Sequence, residues 1–198
     1  MSPRTKEQFE EMRESRRLQI MQIALKLFAE EGYSHCSISM LAQKAGISKG
    51  LMYNYFDSKQ ALLGAIIDHG MHEIMDLFDP DHNGVLEDHE FEEFVKKVFA
   101  AIRGHKEYWI MFISVFLQPR VKEMVTSESF MVYVERYLEM LAQYFKRRGY
   151  ENPMLEMLTF SSLIEGFAAL VIYTYPSFEF PDEIVEQYER RIIEMYTK

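Results

Sequence analysis

Apolar residues recur every three to four positions along most of this chain, the spacing that lines one face of a helix. In LQIMQIALKLFAEEGY, Ile20, Ala24, Leu27 and Phe28 fall on such a face, and Gly32 follows where a helix stops. Two short helical segments are expected next, at about 38–45 and 49–55, joined through Ala45-Gly46-Ile47-Ser48. A longer helix is expected after Asp57, a suitable N-cap, with Gln60 three residues on completing a capping-box pattern. It carries Leu62, Leu63, Ile66, Ile67 and Ile74 to about Phe78. Residues 79–90, DPDHNGVLEDHE, interrupt the period, which resumes at Phe91, Phe94, Val95 and Val98. Further segments follow near 105–117, 121–126, 128–148, 153–174 and 182–196, punctuated by Pro119, Gly149, Pro153, Pro176 and Pro181. Strand-like alternation never persists. The pattern predicts an all-α chain of about nine or ten helices.

The segment SISMLAQKAGISKGLMYNYF, Ser37 to Phe56, has the logic of a helix-turn-helix. Leu41, Ala42 and Ala45 supply small and apolar packing positions, Gly46 permits the sharp turn, and Ile47 fills the angle between the helices. Ser37 and Ser48 are placed to cap the two helices. The second helix then offers polar groups outward. Lys49 suits a phosphate or a guanine edge, Tyr53 and Asn54 suit phosphates or base edges, and Leu51 a thymine methyl. Gly50 is a poor helix former and would allow close approach to a groove floor. Lys59, just beyond, could grip the backbone.

Charge sharpens this picture. The net charge of 198 residues is −9, but residues 1–60 hold 9 Lys/Arg against 7 Asp/Glu, a net of +2, and residues 61–198 hold 13 against 24, a net of −11. A mildly basic head on an acidic body suits a protein whose head alone meets phosphate. With 48% hydrophobic and 27% charged residues the chain can bury a core. No apolar run reaches the roughly 18 residues of a membrane span, and the charged N-terminus lacks the apolar stretch of a signal peptide, so a cytoplasmic location is expected. Cys36, the only cysteine, reads as a small buried residue. No Ser/His/Asp or Cys/His set and no phosphate-binding glycine loop stands out, so no enzyme is expected.

The blocks IALKLFAEEGY, AGISKG, YNYF and SKQALL, in that order between about Arg16 and Leu63, resemble the DNA-binding domain of the TetR family of bacterial repressors. The resemblance implies that the second short helix enters the major groove, with Ser37, Ser48, Lys49, Gly50, Leu51, Tyr53, Asn54 and Lys59 as DNA contacts. Met40 and Leu51 depart from the family's usual residue types. The departure at Leu51 bears on which operator is read. The resemblance also implies a head at 1–60, a ligand-binding and dimerisation body at 61–198, and a homodimer formed by the last two helices. Leu158, Leu163, Gly166, Ala169 and Ile172, then Ile184, Tyr188, Ile192 and Met195, are stripes suited to that interface or to an ordinary core. An apolar effector pocket is implied in the soft, aromatic middle, with Trp109, Phe112, Phe116, Met131, Tyr137 and Met140 as candidate lining; core packing reads the same residues equally.

The resemblance does not account for residues 79–90. They match the twelve-residue calcium loop of an EF-hand: Asp79, Asp81 and Asn83 at positions 1, 3 and 5, Gly84 at 6, Val85 at 7 through its carbonyl, Leu86 at 8, Glu87 at 9 and Glu90 at 12. The alternative is a solvated acidic turn, since such loops usually work in pairs and no second one is present. No cofactor is required by the reading, and Ca2+ at 79–90 is the one candidate. The function expected is therefore a ligand-responsive regulator, a repressor that binds a near-palindromic operator as a homodimer and is released by a small apolar effector. A calcium-binding sensor or interaction protein using 79–90 is the alternative.

Overall fold

The computed structural model describes residues 5–104, 106–125, 128–171 and 180–198, and every regular element within them is helical. In chain order these are α1 (Lys6–Glu31), α2 (Ile38–Lys44), α3 (Lys49–Tyr53), α4 (Lys59–Phe78), α5 (Asp88–Gly104), α6 (Lys106–Phe116), α7 (Pro119–Val125), α8 (Glu128–Arg147), α9 (Pro153–Ala169) and α10 (Asp182–Thr197). Ile172 and Pro176 lie outside the described residues. None of these helices is long and apolar enough to cross a membrane.

Caps explain where the helices begin. Apolar periodicity starts near Ile20, yet α1 starts at Lys6, because Thr5 and Gln8 form a capping box: the Thr5 hydroxyl accepts the Gln8 N–H and the Gln8 side chain accepts the Thr5 N–H. The Lys6–Glu10 ion pair and others like it support that polar stretch. Ser58, not Asp57, caps α4: its Oγ accepts the Ala61 N–H at 2.9 Å. The Ser58 carbonyl in turn accepts the Leu62 N–H, so the expected capping box with Gln60 does not form. Pro119 opens α7, two residues ahead of the expected start, at the position where a missing N–H costs nothing.

The chain forms two compact units, Met1–Gly70 with Met111–Thr126, and Met71–Ile110 with Ser127–Lys198. The sequence division fell at 60/61; here the first unit continues along α4 to Gly70 and takes in the end of α6 and α7. Its core contains Ile20, Ala24, Leu27 and Phe28 of α1, Leu41 and Ala42 of α2, Met52 of α3, and Leu62, Leu63, Ile66 and Ile67 of α4. The second unit is built on aromatic packing. Phe91 of α5 lies flat on Tyr144 of α8, ring centroids 4.8 Å apart. Phe145, Phe160 and Tyr196 close around Phe91. Phe99 stacks on Phe167 of α9 at 4.5 Å. Each such ring contributes about 1.5–3 kcal/mol by burial.

Candidate nucleic-acid interface

The turn between α2 and α3 is fixed by backbone geometry. Gly46, at φ +65°, donates its N–H to the Gln43 carbonyl, and Ile47 donates to Ala42 at 3.0 Å. This pair of bonds is a Schellman motif, which satisfies the last carbonyls of α2 and turns the chain. Ser37 caps α2 through the Met40 N–H at 3.2 Å, and Ser48 caps α3 through the Leu51 N–H at 3.1 Å. Leu41, Ala42, Ala45, Met52 and Phe56 are buried between the helices.

With that face inward, Ser37, Ser48, Lys49, Gly50, Leu51, Tyr53 and Asn54 are all exposed. Leu51 and Tyr53 keep 40% and 44% of their surface in solvent. Gly50 is the informative member. A Cβ built on it would meet nothing closer than Ser48 Oγ at 4.0 Å, and its φ is not in the left-handed region. Nothing among the described residues requires a glycine there, although glycine weakens a helix by about 0.5–1 kcal/mol.

Lys59 sits differently from the expectation that it grips DNA. Its ammonium donates to the carbonyls of Tyr33 at 2.7 Å and Cys36 at 2.8 Å, and lies 4.2 Å from the centroid of the Tyr33 ring. Burial pulls its pKa below the usual lysine value, with the Cys36 thiol opposing the shift. In this geometry Lys59 ties the start of α4 to the α1–α2 connection. Cys36 is buried as expected, its thiol against the Leu27 carbonyl.

Three arginines of α1 brace the same motif and carried no signal in the apolar pattern. Arg16 donates to the Ala45 carbonyl at 2.8 Å, at the end of α2. Arg13 reaches the Asn54 carbonyl at 3.4 Å, at the end of α3. The Arg17 guanidinium lies over the Phe56 ring at 5.3 Å. A cation at a helix C-terminus offsets the partial negative charge of its carbonyls. Their spacing, i, i+3, i+4 within an otherwise acidic stretch, is the trace they leave in the sequence.

The candidate lining residues fall in both units. Phe112 and Phe116 belong to the first unit, and Trp109, Met131, Tyr137 and Met140 to the second. Phe112 is buried against Gly70, where an added Cβ would stand 2.5 Å from its ring. Met140 is core, Tyr137 packs on Phe78 at 4.8 Å, and Met131 is exposed. An open cavity of about 590 Å³ lies in the second unit, lined by residues 86–89 with Tyr144, Arg147 and Arg148.

The 79–90 loop folds as a turn held by its own side chains. Asp79 accepts the Gly84 N–H, Asp81 the Asn83 N–H, and Asn83 the Val85 N–H. Glu90 accepts the Glu87 N–H at 2.9 Å. The oxygen donors at positions 1, 3, 5 and 12 suit Ca2+ in kind. Their arrangement suits it less: Asp79, 1% exposed, is ion-paired with Arg136 of α8, and among the described residues no three His, Cys, Asp or Glu side chains are grouped to hold a metal.

The protein is thus all-α, with a helix-turn-helix head whose second helix presents polar groups and a bare glycine to solvent. Residues 20–66 match the family model of bacterial regulatory proteins, tetR family. The uncharacterised HTH-type transcriptional regulator YuxN of Bacillus subtilis is 45% identical over 58 residues, 29% of this chain and 20% of that protein. The chain spans less than two thirds of the length of the curated relatives it matches. The fold extends further. The fatty acid degradation regulator FadR of Bacillus halodurans matches 90% of this chain and 94% of its own at a TM-score of 0.69 and 17% identity. FadR of Bacillus subtilis, solved with stearoyl-CoA, matches 91% and 97% at 0.67 and 16%.

Proposed function

We propose that this chain is a transcriptional regulator that reads a near-palindromic DNA operator as a homodimer, represses by occupying it, and is released by a small apolar effector. The observation that carries the reading is α3: six exposed positions, Ser48, Lys49, Gly50, Leu51, Tyr53 and Asn54, around a glycine with no internal use. Lys49 neutralises phosphate, Tyr53 and Asn54 reach phosphate or base edges, and Gly50 lets the helix approach the groove floor.

Dimerisation draws support from α9 and α10. Leu155, Leu158, Gly166 and Ala169 form an exposed stripe on α9, with Leu158 63% exposed, and Ile184 and Met195 are exposed on α10. A neighbour of the same fold was solved with stearoyl-CoA, of which the acyl chain is apolar and the coenzyme A part is charged. A cytoplasmic location accompanies this reading.

Selection of DNA from a random pool by the purified chain, followed by footprinting and light scattering, tests it. Two half-sites about 34–36 Å apart, bound by a dimer, are expected. A chain that selects no sequence, or binds as a monomer to single half-sites, refutes it. The second reading, a calcium sensor, draws on the ligand order in 79–90 and requires Arg136 to release Asp79. Calcium titration by calorimetry decides it, and absence of heat at millimolar calcium refutes it.

A further inference from the structure

Gln118 stands at the corner between α6 and α7, and both ends of its amide reach into the head. Its Oε1 accepts the Tyr33 N–H at 2.8 Å, and its Nε2 donates to the Phe28 carbonyl at 2.9 Å. The backbone of the corner is itself held: the Gln118 N–H bonds the Val115 carbonyl, and its carbonyl accepts the Val121 and Lys122 N–H groups at 2.9 and 3.0 Å. The side chain therefore has a fixed origin, and both partners are backbone groups 85 and 90 positions away in sequence.

Those partners lie where α1 ends. Gly32, at φ +84°, stops the helix and shares the Phe28 carbonyl with Gln118. Tyr33 is then gripped from two sides. Gln118 holds its N–H, and Lys59 holds its carbonyl at 2.7 Å and the Cys36 carbonyl at 2.8 Å. Cys36 directly precedes Ser37, the cap of α2, and Lys59 is the first residue of α4, six positions after Tyr53, the last residue of α3. The 32–37 connection is thus a short rod with Gln118 on one side and the reading motif on the other. A second contact reinforces the corner, the Phe112 ring seated on bare Gly70 so closely that no side chain fits.

We propose that Gln118 is a positioning residue that couples the α6–α7 corner to the DNA-reading motif: a displacement of the corner moves the α1–α2 connection through the amide, and through Lys59 the start of α4. α6 begins in one compact unit and ends in the other, so its C-terminal corner is a natural output for a change in the body. This rests on the reading of α3 as a DNA interface, and adds to it the side chain through which that interface is controlled. Coupling between sites is reciprocal, so occupancy of α3 must be felt at the corner even with no effector known.

The test uses the full chain, the DNA fragment that the wild type selects from a random pool, and amide hydrogen exchange with and without that fragment. In the wild type the DNA slows exchange at Tyr33 and across 117–122 by roughly tenfold, the equivalent of one tightened hydrogen bond. In Gln118→Leu, which keeps the bulk and loses both bonds, DNA still protects α3 but no longer protects 117–122. Gln118→Met serves the same comparison if the leucine variant does not fold. A purely structural role predicts lower melting temperature with the DNA-induced protection of 117–122 unchanged, and that result overturns the coupling. So does a wild type protected at α3 but not at 117–122. A wild type that selects no DNA removes the regulatory reading itself and the coupling with it, and is told apart by the missing protection at α3.

Discussion

Replacing Gly50 by alanine separates folding from function at one atom. Inside the chain the new methyl meets open space, its nearest neighbour being Ser48 Oγ at 4.0 Å, so it adds no clash. The backbone there is ordinary, so it adds no strain. Alanine then restricts the unfolded chain and favours the helix, stabilising by about 0.5–1 kcal/mol. For a chain of this size that raises the melting temperature by roughly 1–4 °C if unfolding is cooperative. On DNA the sign reverses. If α3 approaches the groove floor at Gly50, one methyl at that contact overpacks it by about 1–3 kcal/mol, roughly a five- to hundredfold weaker complex.

The assay pairs a thermal melt with a binding titration on the selected fragment at fixed ionic strength, since phosphate contacts make affinity depend on salt. Gly46→Ala is the control, because Gly46 holds φ +65° and alanine there loses stability before it loses anything else. Expected is a Gly50→Ala variant that is at least as stable as the wild type and binds DNA at least fivefold more weakly. A variant that binds equally well refutes the close approach. A variant that loses stability refutes the claim that the glycine has no internal use.

Lys59→Met removes the donor that two carbonyls share, and destabilisation of about 2 kcal/mol in chemical denaturation is expected, with Tyr33 and Cys36 amide regions exchanging faster; an unchanged midpoint contradicts the structural role. Arg136→Met leaves buried Asp79 without its counter-charge, at a cost of about 2–3 kcal/mol, below the range for fully buried pairs because Arg136 is half exposed. Millimolar calcium is expected to restore the melting temperature of this variant and to leave the wild type unmoved, and equal responses of the two contradict the view that Arg136 stands in for a cation. Burial pushes the phenols of Tyr137 and Tyr196 up to about 12, against an ordinary value near 10. The unfolded chain therefore releases these protons first: stability is flat below pH 10 and falls between pH 10 and 12, and the ultraviolet phenolate signal shows late-titrating tyrosines. Tyr196→Phe deletes a buried hydroxyl that has no hydrogen-bond partner among the described residues and is expected to stabilise by about 1 kcal/mol, read as a raised melting temperature.

The helix-turn-helix was legible because its signals are local. Ser37, Gly46 and Ser48 dictate caps and a turn within twelve residues, and the buried positions Leu41, Ala42, Ala45 and Met52 show the 3.6 period. The N-terminal twelve residues of α1 were not, because their helix is supported by a capping box and ion pairs instead of an apolar face. The role of Lys59 was not legible either. A lysine one residue into a helix after a DNA-reading element looks like a phosphate contact, and only the placement of the Tyr33 and Cys36 carbonyls, more than twenty residues earlier, directs it inward. Gln118 is the extreme case, a lone glutamine before a proline whose two partners are 85 and 90 residues away. Long-range side-chain bonds to backbone leave no period and no composition behind.

Glycines make the same point in the other direction. Gly46 is needed for its φ and Gly70 for the ring of Phe112, so each is explained inside the chain. Gly50 and Gly166 are not: both are exposed, both lie within helices, and a Cβ on either meets no close neighbour. Gly64 of α4 and exposed Gly104, at the end of α5, have the same open space among the described residues and no partner that the proposed function assigns. Glycine inside a helix weakens it, and the two exposed cases in helix interiors fall on different surfaces, α3 and the α9 stripe with Leu158 and Ala169. DNA on the first and a second copy on the second account for both with one physical argument. The two surfaces therefore stand or fall separately: Gly166→Ala is expected to weaken the dimer in dilution experiments while leaving monomer stability intact or improved, and a dimer of undiminished affinity would remove α9 from the interface without touching the case for α3.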